Sequence, residues 1–185
     1  MGNRKLGVAL SGGGARGFAH IGLLHVLEQF DIHIDFISGT SMGGLIAALY
    51  CNGYSAAQLE EEAQKFSHFR ELIKLVEIVP PRRGLIDHKR IQQYISQLLG
   101  DNLSFETCII PLGLCSVDLM TSNEVHFTAG DLIPAVMGTI SFPGVFPPVE
   151  YKGFRLIDGG ILNNVPVNIV RNLGAEMVLA MNVEL

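Results

Sequence analysis

A chain of 185 residues, 48% of them hydrophobic, has the size of one domain and enough apolar side chains to cover both faces of a sheet. Only 17% of the residues are charged and the net charge is −5, which argues against nucleic acid as a partner. The three cysteines include no Cys-x-x-Cys pair, and no apolar run reaches the ~18 residues of a membrane span, so we expect a cytoplasmic protein with free thiols that touches membranes only peripherally.

Strand-length apolar segments alternate along the chain with segments of helical periodicity. The alternation predicts an α/β fold with three layers, α/β/α, and a mostly parallel central sheet. The predicted strands are Leu6–Leu10, Ile34–Ser38, Ile109–Val117, Phe154–Ile157 and Met177–Val183. A sheet of this kind usually ends with a covering helix or loop, so we expect the single domain, residues 1–185, to continue past Leu185.

Helix boundary signals occur between these strands. Ser55 and Gln58 have the spacing of a capping box, and Asp87 can cap the helical segment that follows it. Gly100 and Gly174 suit the left-handed position after a helix end.

A Gly-x-Ser-x-Gly sequence, residues 39–43, joins the second predicted strand to a helical segment. This pattern is typical of a nucleophile elbow, in which a strained turn exposes Ser41 and a β-carbon at Gly39 or Gly43 would collide with the neighbouring chain. The amide of Met42, at the positive end of the following helix, is then a candidate donor to an oxyanion. An ordinary glycine-rich turn with an N-cap serine explains the pattern equally well.

A second glycine-rich segment, residues 11–17, follows the first predicted strand. Main-chain amides without side chains in front of them can converge there on an anion. Gly12, Gly14 and Gly17 also match Gly-x-Gly-x-x-Gly, which leaves dinucleotide binding open. The acidic residue that this alternative needs should follow the second strand, where the chain instead has the serine turn.

Histidine does not fit the role of the base that would activate Ser41. All of the histidines precede position 158, and a Ser, Asp/Glu, His order would need one of the last three after an acidic residue. His126 alternates with apolar neighbours as on a solvated strand face, and the chain contains no His-Glu-x-x-His. We interpret the six as structural and expect no metal site: His20, His25, His33, His68, His88 and His126.

Asp158 is the remaining candidate base. It ends a short apolar strand and is followed by Gly159 and Gly160, and strand ends are where an α/β sheet presents catalytic groups. A carboxylate with the ordinary pKa of ~3.9 is a weak base, so a Ser-Asp dyad requires close contact and an effective oxyanion hole. Taken alone, Asp-Gly-Gly is most often a simple turn.

These three segments, in this order, resemble the patatin-like phospholipase family, and specifically its bacterial branch. The likeness extends over nearly the whole chain and includes Gly84-Leu85-Ile86-Asp87, residues 127–131, Ser141–Pro148 and Gly174-Ala175-Glu176. The resemblance implies that Ser41 is the nucleophile and Asp158 its proton acceptor. It also implies an oxyanion loop made of Gly12, Gly13, Gly14 and Arg16.

The resemblance implies hydrolysis of phospholipids or other lipid esters through an acyl-enzyme, with no metal or organic cofactor. The apolar loop from Phe142 to Val149 can line an acyl groove, meet a lipid surface or cover the core. One alternative is a regulatory or scaffolding protein with the same fold and little turnover, for which an intact Ser-Asp pair would be unnecessary.

Overall fold

The computed structural model describes residues 4–65, 88–100 and 104–184. The strands are β1 (Leu6–Leu10), β2 (Phe36–Thr40), β3 (Leu112–Asp118), β4 (Asn123–Phe127), β5 (Val149–Tyr151), β6 (Phe154–Asp158) and β7 (Met177–Met181). The helices are α1 (Ala19–Gln29), α2 (Ser41–Cys51), α3 (residues 56–65), α4 (His88–Leu99), α5 (Leu132–Thr139) and α6 (Val167–Asn172). Short 3-10 turns cover Gly14–Phe18, Phe105–Thr107 and Gly159–Ile161.

The strands form one mixed sheet in the order β5-β6-β3-β2-β1-β7, with β4 beside β3. Its centre, β7-β1-β2-β3, is parallel, as expected for strands joined by helical crossovers. β4 and β6 both run antiparallel to β3, and β5 runs antiparallel to β6. The prediction of a mostly parallel sheet is therefore right for the central strands, while β4, β5 and β6 join the sheet through antiparallel pairs.

Helices cover both faces of this sheet. Val8 and Leu10 of β1 belong to the large apolar core that also contains residues of α1, α2, α4 and α5. Ala9, which points to the opposite face, packs with Val170 of α6 and Ala175. The alternation along one strand confirms the three-layer α/β/α class.

The local signals in the sequence agree with the structure where it describes them. The Ser55 amide donates to the Gln58 side chain (2.9 Å) and the Gln58 amide to the Ser55 hydroxyl (3.2 Å), which is the reciprocal capping box. Gly100 and Gly174 have positive φ values of 60° and 118°. Asp87 lies outside the described residues. None of the helices in the described ranges combines the length and apolar character needed to cross a bilayer.

Candidate active site

The pairing of β3 brings the ends of β2 and β6 together. β2 pairs with residues 112–115 of β3, β6 with residues 116–118, and β4 with residues 114–118. A strand has only two edges, so β4 occupies one edge and β2 and β6 follow each other along the other. Thr40, the last residue of β2, pairs with Cys115, and Asp158, the last of β6, pairs with Ser116. The two strands therefore meet head to head, and Ser41 starts beside Asp158.

Ser41 lies in a strained turn between β2 and α2. Its φ of 53° is in the left-handed region, which non-glycine residues rarely adopt. A β-carbon at Gly39 would lie 2.5 Å from the Gly43 carbonyl oxygen, and one at Gly43 would lie 2.4 Å from the Ser11 carbonyl oxygen. Both glycines are thus required by close backbone contacts, as expected for an elbow, and the second contact joins the elbow to the glycine-rich loop.

Thr139, at the end of α5, supports the elbow from behind. Its side chain is fully buried, and its hydroxyl accepts a hydrogen bond from the Ser41 amide (2.9 Å). The same hydroxyl donates to the Cys115 carbonyl of β3. One threonine therefore connects the elbow to the strand along which β2 and β6 meet.

Asp158 is 1% exposed, and only one of its two carboxyl oxygens accepts a hydrogen bond at ordinary geometry within the described residues. Its Oδ1 accepts a hydrogen bond from the Gly160 amide (2.8 Å), whereas Oδ2 has no partner at ordinary hydrogen-bond geometry within the described residues. Burial raises the pKa of Asp158, and hydrogen bonding from the Ser41 hydroxyl and the Gly160 amide opposes the rise. The Ser41 hydroxyl thus lies near the Asp158 carboxyl.

The turn after Asp158 packs tightly against β3. A β-carbon at Gly159 would lie 2.4 Å from the Cys115 carbonyl oxygen, so this position requires glycine. At Gly160 a β-carbon would lie 3.1 Å from both the Asp158 Oδ1 and the Asn164 Oδ1. The two glycines keep the carboxyl close to the strand on which the elbow also rests.

The glycine-rich loop differs from the simple expectation in one respect. The Gly12 amide already has two acceptors, the main-chain oxygen (3.2 Å) and the side-chain oxygen (3.0 Å) of Asn164. Gly13 and Gly14 follow with φ values of 147° and 53° and start the 3-10 turn, where the first amides have no partner inside the turn. Gly12 therefore anchors the loop, and the amides of Gly13 and Gly14 are the remaining candidates for binding an anion.

Arg16 and Met42 occupy different surroundings. The Arg16 side chain is exposed, and its amide closes the turn by donating to the Gly13 carbonyl (3.1 Å). Met42 follows Ser41 in the first turn of α2 and packs against Gly17, where a β-carbon would lie 2.4 Å from the Met42 Cγ. The glycine loop thus lies against the start of α2.

The histidines lie apart from this pair. His20 is buried, its Nε2 is 2.8 Å from the Ser11 carbonyl oxygen, and burial lowers its pKa. His126 is 2.7 Å from Glu124 on β4. Among the histidines whose side chains the structure describes, none hydrogen bonds to Ser41 or Asp158.

An apolar cavity has Met42, the residue after Ser41, in its lining. It is lined by side chains of the Gly14–Phe18 turn and of α1 to α4, among them Phe18, Leu45, Leu49 and Leu98.

Two supporting residues were not predicted from the sequence. Thr139 contacts Ser41, which is 98 positions earlier in the chain, and Asn164 contacts Gly12, which is 152 positions earlier. No local motif can therefore contain either pair. For Asn164 the sequence offered one signal, the Asn163-Asn164 pair between the Asp-Gly-Gly turn and Pro166. Asparagine side chains near a turn often hydrogen bond to the backbone.

Comparison with known proteins identifies the family. Residues 8–171 match the family model described as patatin-like phospholipase. The chain belongs to this family.

Several known proteins are similar to the chain. It is 31% identical to the neuropathy target esterase sws of Drosophila melanogaster over 97% of the chain and 13% of that protein. It is 29% identical to lysophospholipase NTE1 of Scheffersomyces stipitis over 99% of the chain and 12% of that protein. The type III effector ExoU of Pseudomonas aeruginosa shares the fold, with a TM-score of 0.56 and 20% identity over 77% of this chain and 41% of the effector. The chain thus spans only a small part of these curated relatives.

Proposed function

We propose that the chain is a serine acyl hydrolase that cleaves phospholipid or other lipid esters, with Ser41 as nucleophile and Asp158 as base. The main support is one observation: the buried Asp158 carboxyl has an oxygen without a partner within the described residues, next to a serine in a strained turn. Family membership and the names of two relatives, an esterase and a lysophospholipase, favour the same chemistry.

In the first half of the reaction, the Ser41 Oγ attacks the ester carbonyl carbon while its proton passes to Asp158. The carbonyl oxygen becomes an oxyanion, for which the amides of Gly13, Gly14 and Met42 are the donors. Collapse of the tetrahedral intermediate breaks the bond to the alcohol, which takes the proton from Asp158, and leaves the acyl group on Ser41.

Water completes the cycle. Asp158, again a carboxylate, accepts a proton from the attacking water, and the second tetrahedral intermediate releases the carboxylic acid and restores the Ser41 hydroxyl. The raised pKa of Asp158 supports this role, since a carboxyl of higher pKa is a stronger base towards an alcohol. Every step uses residues of the chain, so the reaction as proposed needs no metal or organic cofactor.

Two apolar features support a lipid substrate. The cavity with Met42 in its lining is apolar, and we propose that the start of the acyl chain packs against it. Four exposed apolar side chains lie on the segments that flank Asp158: Phe142 (54% exposed), Val145 (42%), Ile161 (49%) and Leu162 (52%). We call these four the apolar rim. Since the Asp158 amide donates to the Ser141 carbonyl, the rim adjoins the candidate base, and we propose that it makes peripheral contact with lipid.

A substrate panel tests the proposal. Wild type should hydrolyse p-nitrophenyl esters faster as the acyl chain lengthens from acetyl towards decanoyl, and should release fatty acid from lysophospholipid or two-chain phospholipid. Ser41→Ala should reduce both activities to background, whereas Ser96→Ala, which removes a hydroxyl bonded to the Gln92 carbonyl on α4, should leave them unchanged. A folded wild type with no activity above Ser41→Ala would instead support a regulatory or scaffolding role.

A further inference from the structure

A thiol, a carboxylate and an imidazole lie together on the face of the sheet that α6 covers. Cys115 of β3 is directly opposite His126 of β4, and Glu124 lies two residues away on the same face. The ligand atoms of the three side chains all lie within 4.8 Å of one another. Separations are 2.7 Å between the His126 Nε2 and the Glu124 Oε2, and 4.0 Å between that oxygen and the Cys115 Sγ.

These are the ligand types that zinc prefers. Bond lengths of about 2.3 Å to sulfur and about 2.0–2.2 Å to nitrogen and oxygen place neighbouring ligands of a tetrahedral ion roughly 3.5 Å apart. The three atoms therefore need to move by an amount on the order of 1 Å, which small side-chain rotations supply. Harder ions such as Mg²⁺ and Ca²⁺ prefer sites made of oxygen alone.

The burial of the group also suits an ion. Cys115 is fully buried, while the side chains of Glu124 and His126 are 31% and 33% exposed. The thiol is thus the innermost of the three ligands. Glu124 and His126 lie on the solvent side, from which an ion can enter. The Glu124 carboxylate lies beside the thiol, and a cation that binds between them would displace the thiol proton.

Neighbouring polar groups fix the orientation of the carboxylate. The Asn163 side-chain amide donates to the Glu124 Oε2 (2.8 Å), and the Asn163 carbonyl accepts from the Thr40 hydroxyl (3.0 Å). Outer partners of this kind are typical of metal sites. We propose that Cys115, Glu124 and His126 form a binding site for a zinc-like divalent cation with its fourth position open to water. The proposed site differs from the sequence-based expectation of no metal site. The three ligands form no recognisable motif in the sequence, and the β3–β4 pairing brings them together.

Cobalt(II) provides a direct test, since a cobalt–thiolate bond adds a charge-transfer absorption in the near ultraviolet. Wild type titrated with Co²⁺ should show this absorption at one ion per chain, Zn²⁺ should abolish it, and Mg²⁺ should not. Cys115→Ser should lack the band, and Cys108→Ser, which changes a half-buried thiol elsewhere, should retain it.

The imidazole and carboxylate are tested by affinity. His126→Gln and Glu124→Gln should each weaken Zn²⁺ binding at least tenfold, as measured by calorimetry. Both residues are partly exposed, so these two variants should fold. They therefore test the site even if Cys115→Ser fails to fold. The matched control is His25→Gln, which removes a similar His–Glu pair (3.2 Å). An absent band in wild type, a band that survives in Cys115→Ser, or equal affinity in wild type and His126→Gln would overturn the proposal.

Discussion

Replacing Gly43 with alanine tests whether the elbow geometry controls activity. The added β-carbon would lie 2.4 Å from the Ser11 carbonyl oxygen and 2.6 Å from the Leu10 carbonyl oxygen, where ordinary contact begins near 3.4 Å. Both neighbours are backbone atoms of the segment that leads into the glycine loop, so they cannot rotate away. The start of α2 must therefore withdraw from this loop by about 1 Å.

The cost should fall more on catalysis than on stability. Overpacking costs about 1–3 kcal/mol, and the higher helix propensity of alanine offsets up to ~1 kcal/mol of this, so the free energy of unfolding should fall by no more than about 3 kcal/mol. A displacement of ~1 Å between reacting groups can reduce the rate about 10²-fold. We therefore expect Gly43→Ala to remain folded and lose about 99% of kcat/KM.

Initial rates on a p-nitrophenyl ester and urea denaturation measure the two effects separately. The control is Gly22→Ala in α1, where a β-carbon meets nothing within 4 Å. This variant should be more stable by up to ~1 kcal/mol and fully active. Wild-type kcat/KM in Gly43→Ala, or an equal loss in Gly22→Ala, would refute the link between elbow packing and activity.

Three further substitutions test the supporting contacts. Thr139→Val leaves the Ser41 amide and a strand carbonyl without their partner, so urea denaturation should show a loss of at least ~2 kcal/mol, while Thr139→Ser should recover most of it. Asn164→Ala removes one of the two acceptors of the Gly12 amide, so kcat should fall about 10–10²-fold with KM nearly unchanged; an unchanged kcat would contradict this positioning role. Asp158→Asn should raise Tm at pH 7, because burial raises the pKa of Asp158 and makes its ionisation unfavourable in the folded state. The Tm advantage should shrink as pH falls through the raised folded pKa towards the unfolded value of ~3.9; a constant difference would refute this cause.

The elements that depend on local signals could be predicted from the sequence. β1 matches its predicted bounds, and the capping box at Ser55 and Gln58 forms as its spacing indicates. β2 lies two residues later than predicted because Gly39 and Thr40 resemble a turn in sequence but complete the strand.

Features that depend on distant contacts could not be predicted. β5 has only three residues and lacks the apolar run of a buried strand. The alternation around His126 indicates a solvated strand face, but it does not show that β4 pairs with β3. The motifs located Ser41 and Asp158 separately, but their meeting depends on β2 and β6 sharing one edge of β3. That arrangement follows from the antiparallel pairing of β3 with β4, which no local pattern indicates.

Covalent labelling measures the activation of Ser41 by Asp158 most directly. A fluorophosphonate should modify wild type at Ser41, identified by peptide mass spectrometry, at a rate that falls as the pH drops through the raised pKa of Asp158. Asp158→Asn should remain folded and react at least 10²-fold more slowly, in line with the loss of a general base. Labelling of Ser41 at the wild-type rate in Asp158→Asn, or labelling of a different residue in wild type, would contradict the proposed dyad.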